Sequence, residues 1–239
     1  MEEKTLNLHL TDRCNFQCKH CFVNTKGREL SLDECKKIID DIYEMNEFTR
    51  INLAGGEPMM AHHLQDVIDY VVRKGFMCSL ITNGSYLTNE FIHRNENKLY
   101  MIGISVDSTD DDINELIGRK TIKYIVELCE EIKKSNIKLK INICINKHNV
   151  SFDFKPIIER IKPDRLKVLQ VLPTPHSKYV EELTVTSDEF NEVCTRLMEY
   201  NPICEDNEFM KESYWIVDSE GYYGKDNLHL KNANKIKLV

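Results

Sequence analysis

The chain has 239 residues, 41% of them hydrophobic, which is enough to bury one substantial core. Its formal net charge of −7 excludes a general polyanion-binding surface, so any anion site has to be a local gathering of cations and nucleic acid is not an expected partner. Nine cysteines without a leader-like N-terminus suggest a reducing, cytoplasmic setting, and no apolar run reaches membrane-spanning length, so no membrane is expected either.

Along the chain, short apolar strands alternate with stretches of helical period, which predicts βα repeats around a parallel sheet. Strands are predicted at 4–10, 50–54, 76–82, 99–105, 137–145 and 165–171. Helices are predicted at 31–46, 61–74, 88–97, 121–135, 152–161 and 186–200. Ser31 with Glu34 has capping-box spacing, and Thr88 before Asn89 and Glu90 marks a further helix start. Six βα units suit a partial (βα)6 barrel of the TIM-like kind over residues 1–171, with its site at the carboxyl ends of the strands. Beyond about Ile203 the repeat stops, and residues 172–239 are expected to form a C-terminal extension that packs on the barrel and covers the substrate site.

The strands carry a second pattern. Between Ile137 and Asn146 one face reads Ile, Leu, Ile, Ile, Ile and the other Lys, Lys, Asn, Cys, Asn. Leu6, Leu8 and Leu10 likewise share one face of the first strand, with Asn7, His9 and Thr11 on the other. In a barrel the polar set points into the lumen, where buried Lys and Asn need a ligand or partners. An exposed face of an antiparallel sheet would give the same alternation, but the βα repeat argues against it.

Cys14, Cys18 and Cys21 form a C-x3-C-x2-C run. Three thiolates so spaced suit three corners of a cubane iron–sulfur cluster and leave the fourth iron open, whereas zinc usually takes four protein ligands. Downstream, Ala54-Gly55-Gly56-Glu57-Pro58 follows the second strand: paired glycines admit close backbone approach, and Glu57 is a carboxylate suited to an ammonium group. Ile81-Thr82-Asn83-Gly84-Ser85 follows the third strand, and Ser105 ends the fourth. Taken together these elements resemble the radical S-adenosylmethionine (radical SAM) enzymes. The resemblance implies a [4Fe–4S] cluster on the three cysteines, with S-adenosylmethionine held by Gly55, Gly56, Glu57, Asn83 and Ser105. His20 stands where that superfamily usually has an aromatic near the adenine.

A narrower likeness rests on Lys140-Ile141-Asn142, Ile145-Asn146-Lys147, Asn149-Val150, Arg165-Leu166-Lys167, Ile117-Gly118-Arg119 and Met210-Lys211-Glu212-Ser213-Tyr214. In order, these are similar to elements of the viperin family, over about Asn7 to Tyr214. Family members abstract the ribose 4′ hydrogen of a nucleoside triphosphate, usually CTP, and give the chain-terminating 3′-deoxy-3′,4′-didehydro nucleotide. The likeness places phosphate contacts on Arg50, Lys140, Arg165 and Lys167 with Asn142 beside them, further substrate contacts on Asn7, His9 and Arg119, and a catalytic role on Tyr214. Arg50 stands where the animal proteins have lysine, which keeps charge and changes geometry. A packed structural tyrosine is the other reading of Tyr214.

Implied partners are CTP, UTP or GTP and an electron donor such as flavodoxin or ferredoxin, acting on a monomer. Eukaryotic viperins have an amphipathic N-terminal membrane helix that this sequence does not show, so it is more similar to the prokaryotic members or to a trimmed catalytic domain. The glycine- and basic-rich C-terminal segment of viperins has no clear equivalent in Lys231–Val239. Two other classes stay open: a radical SAM enzyme on a peptide or other small substrate, and a non-catalytic iron–sulfur scaffold or sensor. Cys35, Cys78, Cys129 and Cys194 read as core thiols, Cys144 as a lumen residue, and Cys204 as a cysteine without sequence neighbours of its kind.

Overall fold

The computed structural model describes residues 4–23, 27–121, 123–173, 180–210, 213–219, 222–225 and 234–235. Its frame is a parallel sheet wound with helices. The strands are β1 (Thr5–Thr11), β2 (Arg50–Gly55), β3 (Met77–Thr82), β4 (Leu99–Ser105), β5 (Lys138–Ile145), β6 (Arg165–Gln170), β7 (Ile203–Glu205) and β8 (Trp215–Val217), followed by β9 (Tyr222–Lys225) and β10 (Asn234–Lys235). Their order in the sheet is β10-β9-β8-β1-β2-β3-β4-β5-β6-β7. The eight strands from β8 to β7 run parallel; β9 and β10 are antiparallel additions at one edge.

The partial barrel therefore has two more parallel strands than the six predicted. β7 extends the β6 edge and β8 returns to pair with β1, Leu6 in register with Trp215 and Leu8 with Val217. Parts of the segment beyond residue 172 are thus woven into the same sheet on both sides.

The helices are α1 (Leu32–Met45), α2 (Leu64–Arg73), α3 (Asn89–Arg94), α4 (Asp111–Leu116), α5 (Ile125–Lys134), α6 (Lys155–Ile161), α7 (Val180–Leu183), α8 (Ser187–Arg196) and α9 (Asn207–Met210). Ser31 and Glu34 form the capping box at the head of α1, and Thr88 caps α3. The second helix starts later than predicted because Pro58–Met60 makes a separate 3-10 turn. The core lies between sheet and helices: Leu6, Leu8, Ile51, Leu53, Leu80, Ile102 and Leu139 meet Ile38, Ile39, Ile68, Val71, Cys129 and Ile132. Each such side chain contributes about 1.5–3 kcal/mol on burial. The opposite strand face carries the polar alternation. Among the described residues no helix is long and apolar enough to cross a membrane.

Candidate active site

The loop that leaves β1 carries Cys14, Cys18 and Cys21, all free and partly exposed. Both flanks clamp it. On one, the Lys19 N–H donates to the Ile117 carbonyl at 2.9 Å, and Gly118 sits at φ +71°, where a Cβ would lie 2.4 Å from the Gln17 carbonyl oxygen. On the other, the N–H groups of Gly56 and Glu57 donate to the carbonyls of Thr11 (2.7 Å) and Arg13 (2.8 Å). A Cβ on Gly56 would fall 2.3 Å from the Arg13 oxygen, so the paired glycines let one backbone lie against another. Burial pushes the thiols up, Cys18 to about 12.

The turn after β3 closes on the same loop. Asn83 Nδ2 donates to Asn15 Oδ1 (2.9 Å) and lies 3.8 Å from Cys14 Sγ, while Asn15 Nδ2 donates to Ser85 Oγ (2.8 Å). Glu57 is fully buried, and its oxygens accept from Thr82 Oγ1 (2.7 Å), Asn83 N (2.7 Å) and Met59 N (3.0 Å). The sequence suggests Glu57 as a partner for an ammonium group; in the structure both its oxygens staple two loops together. Burial raises its pKa, and the three donors act against that rise. A Glu57→Ala variant strands three buried donors and is expected to lose about 3 kcal/mol or more of stability, read by denaturant unfolding.

Beside these loops stands a buried ionic group that the sequence reading did not assemble. Asp107 accepts from Arg119 Nη1 (2.7 Å) and the Cys144 N–H (2.8 Å), and His20 Nε2 lies 3.2 Å from it. Burial pushes the Asp107 carboxyl up, yet Arg119 and His20 hold it well below the usual carboxylate range. Arg119 also donates to the Ser105 carbonyl (2.7 Å) and lies 5.8 Å from the Phe16 ring centroid. Arg119, expected among the substrate contacts, sits beside the cysteine loop, because Asp107 needs a counter-ion. His20, expected to stack near an adenine, directs its ring nitrogen at Asp107 for the same reason. A cavity of about 260 Å³ opens next to this group, lined in part by Asn83, Ser105, Arg119 and Thr121.

The remaining cations lie at the other end of the lumen. Arg50 and Arg165 are the first residues of β2 and β6, and Lys140 and Lys167 the third residues of β5 and β6. The βα pattern predicts a site at the carboxyl ends of the strands; these cations instead form a floor toward the amino ends, while the cysteine loop forms the roof. Lys140 is in register with Arg165, and Asn142 with Lys167. Gly103, in register with Lys140, has no Cβ to block Asn142 Nδ2, which lies 3.3 Å from where one would be. Arg50 lies over the Tyr100 ring, 4.5 Å from its centroid. Burial, then Lys167 and Arg165, lower the Lys140 pKa to about 7. From Lys140 to Cys144, two steps along one face, is about 13 Å, and Cys144 is already within electrostatic reach of Cys18 and Cys21. Floor and roof therefore face one another along a short lumen.

Between them the structure places Asn7 and His9. Asn7 donates to the Trp215 carbonyl (3.1 Å) and accepts from Asn52 Nδ2 (2.7 Å), which ties it to the β1–β8 seam. His9 is buried, its pKa lowered to about 4 by that burial, and its ring lies 6.0 Å from that of Phe22. Tyr214 meets both Lys167 and Glu205. Glu205 escaped the sequence reading: it belongs to a three-residue strand without a pattern of its own.

Residues 8–161 match the model of the Radical SAM superfamily. An S-adenosylmethionine-dependent nucleotide dehydratase from Flammeovirga pacifica is 30% identical, over 92% of this chain and 81% of that one. Another, from a Thermoplasmatales archaeon, is 30% identical over 99% of this chain and 88% of its own. The chain is a viperin-like radical SAM enzyme. Solved structures agree on the fold: Streptococcus suis SuiB bound to its precursor peptide superposes with a TM-score of 0.81 at 14% identity. The match covers 98% of this chain and 62% of SuiB. The AdoMet-bound anSMEcpe superposes with a TM-score of 0.70 at 15% identity, over 94% of this chain and 75% of that one.

The residues present fit the [4Fe–4S] cluster and S-adenosylmethionine of the superfamily. Three thiols share one clamped loop, Asn83 touches Cys14, and the cavity by Ser105 and Arg119 opens beside them. Among the described residues no three His, Cys, Asp or Glu side chains are gathered tightly enough for a single metal ion. In a cubane each thiolate binds a different iron, so three cysteines on one loop suffice to hold it.

Proposed function

We propose that this viperin-like enzyme dehydrates a nucleoside triphosphate, CTP first among CTP, UTP and GTP, to its 3′-deoxy-3′,4′-didehydro form, a chain-terminating antiviral product. The observation that carries the reading is the floor of Arg50, Lys140, Arg165 and Lys167 in a chain of net charge −7. Cations buried side by side repel one another and lose hydration; Glu205 offsets one of the four charges, and a bound anion would offset the rest. A triphosphate carries about four negative charges near neutral pH and accepts charge-assisted hydrogen bonds from such groups. The names of the relatives support the same class of substrate.

Cys14, Cys18 and Cys21 would hold the cluster, and the loops of Gly55, Gly56, Asn83, Ser105 and Arg119 would hold S-adenosylmethionine. When bound, these cofactors supply the 5′-deoxyadenosyl radical that takes the ribose 4′ hydrogen. The chain does the rest by placement. The floor anchors the phosphates, so the ribose lies in the middle of the lumen, below the cysteine loop. Asn142, level with Lys167, donates to the phosphates or ribose. Departure of the 3′ hydroxyl as water needs a proton, and the Tyr214 hydroxyl, next to the Lys167 ammonium, is the group placed to give it. Glu205 and Tyr214 bring the segment beyond residue 172 to this end of the lumen. A flavodoxin or ferredoxin supplies the electrons, and the enzyme works as a cytoplasmic monomer, a setting supported by its nine free cysteines.

The test is anaerobic reconstitution with dithionite and S-adenosylmethionine, scoring 5′-deoxyadenosine with each of CTP, UTP, GTP and ATP. A large rise with one triphosphate and a product lighter by one water is the expected result. Cleavage indifferent to all four would leave a radical SAM enzyme with another substrate. A loaded cluster without cleavage would leave the scaffold reading.

A further inference from the structure

Glu205 is a carboxylate at the edge of a cationic floor. It ends β7, is buried, and pairs with Lys167 Nζ at 2.6 Å. It also accepts a hydrogen bond from the Tyr214 hydroxyl, which in turn accepts one from Lys167. Lys167 Nζ lies 4.6 Å from the centre of the Tyr214 ring, so the three side chains close a triangle. A negative charge in an anion site weakens that site unless it does something else there.

Lys140 shows what the something else is. It sits one strand away, next to the same Arg165, and none of the described side chains pairs with it. Burial, then Lys167, Arg165 and Arg50, lower its pKa to about 7, with the Glu205 charge acting against them. Lys167 faces Lys140 from β5, Arg165 on its own strand, and Glu205 and Tyr214 from β7 and the segment before β8. Burial lowers its pKa too, and the Glu205 charge and hydrogen bond oppose that fall without cancelling it. Among the described residues the floor thus has two kinds of lysine: Lys167 pairs directly with Glu205, and Lys140 feels that charge without pairing with it.

We propose that Glu205 is a positioning residue of the nucleotide site, which keeps Lys167 a permanent ammonium and fixes the Tyr214 hydroxyl beside it. The inference rests on the nucleotide reading and adds to it a division of labour. Lys167 is a constant donor that also orients Tyr214, whereas Lys140 takes up its proton as the phosphates arrive.

The experiment compares wild type, Glu205→Gln and Glu205→Asp, each cluster-loaded and anaerobic, by calorimetric titration with CTP at about pH 6.5 and about pH 8.5. In the glutamine variant both lysines lose the charge that opposes their burial, so its affinity is expected to stay within about threefold of wild type at the lower pH and fall at least about tenfold below it at the higher. The aspartate variant keeps the charge and should follow the wild-type profile. Since a neutral amide holds the Tyr214 hydroxyl less firmly than a carboxylate, the glutamine variant should also make more 5′-deoxyadenosine per product formed. Parallel pH profiles for wild type and Glu205→Gln would overturn the inference. So would an equal loss of affinity at both pH values together with a lowered melting temperature in both variants, which marks a merely structural role. Wild type that binds no triphosphate at either pH would instead overturn the nucleotide reading, and the inference with it.

Discussion

A Cys18→Ala substitution is expected to reduce 5′-deoxyadenosine formation to background while the protein stays folded. The cysteine loop is held by backbone, not by its thiols: Lys19 N–H on the Ile117 carbonyl, Gly56 N–H on Thr11 and Glu57 N–H on Arg13 remain after the change. Removing one sulfur therefore subtracts a cluster ligand and little else. The complementary variant is Gly118→Ala, which keeps all three thiols and puts a methyl group 2.4 Å from the Gln17 carbonyl at a φ of +71°. No L side chain sits there without moving the loop, so iron content should fall although every ligand is present. Cys144→Ala, near the loop in space, should keep its iron. Iron per chain and cleavage of S-adenosylmethionine decide the matter. Full cluster content in Cys18→Ala would show that another group holds the iron.

The sequence revealed the parts of the fold whose pattern is local. Six strands of six to eight residues show apolar alternation or runs, and the caps at Ser31 and Thr88 lie within three residues of the groups they bind. β7 and β8 have three residues each, too few for a period, and exist because distant strands offer them an edge. The Asn7 side chain reaching the Trp215 carbonyl spans almost the whole chain, a pairing that local pattern does not encode. α4 was missed because Asp111, Asp112, Asn114 and Glu115 give it almost no apolar stripe, and it is started instead by the Asp110 side chain on the Ile113 N–H.

The candidate site divides in the same way. The cysteines, the paired glycines and the Thr82–Ser85 turn are contiguous motifs and were legible as such. What each carboxylate does was not, since a buried charge is explained only by the partners that converge on it. Glu57 binds residues 25 and 26 positions away, and Asp107 gathers Arg119, His20 and the Cys144 N–H from three separate segments. One signal was present: Asp107 stands two residues beyond Ser105, which ends its strand level with Asn142 on the polar face of β5, and this alternation puts the carboxylate in the lumen. Placing the cations at the amino ends needed the register itself, because Arg50 and Arg165 begin their strands and Lys140 is level with Arg165.

That floor leads to the second large effect, on nucleotide binding and its pH dependence. Arg165→Ala removes a charge-assisted donor worth about 1.5–3 kcal/mol, so the KM for the nucleotide is expected to rise by about 10–150-fold. Lys140 adds a sign that can be worked out. Its pKa in the nucleotide-free protein is lowered to about 7, below the ordinary 10.5, by burial and by Lys167 and Arg165. Below pH 7 it is already charged and receives phosphate without proton uptake. Above pH 7 a proton has to be bound along with the anion, so affinity falls by up to about tenfold per pH unit until the pKa of the complex is reached. Stability of the nucleotide-free protein moves the other way. Between pH 7 and the unfolded value the folded chain has shed this proton and the unfolded chain has not, so stability rises with pH. Lys140→Arg replaces the ammonium with a guanidinium that keeps its charge throughout this range, and it should flatten the affinity profile above pH 7. Calorimetric titrations across pH in buffers of different ionisation enthalpy measure the proton taken up. A wild-type affinity that stays level from about pH 7 to about pH 9 would show that the Lys140 ammonium is not what the phosphates meet.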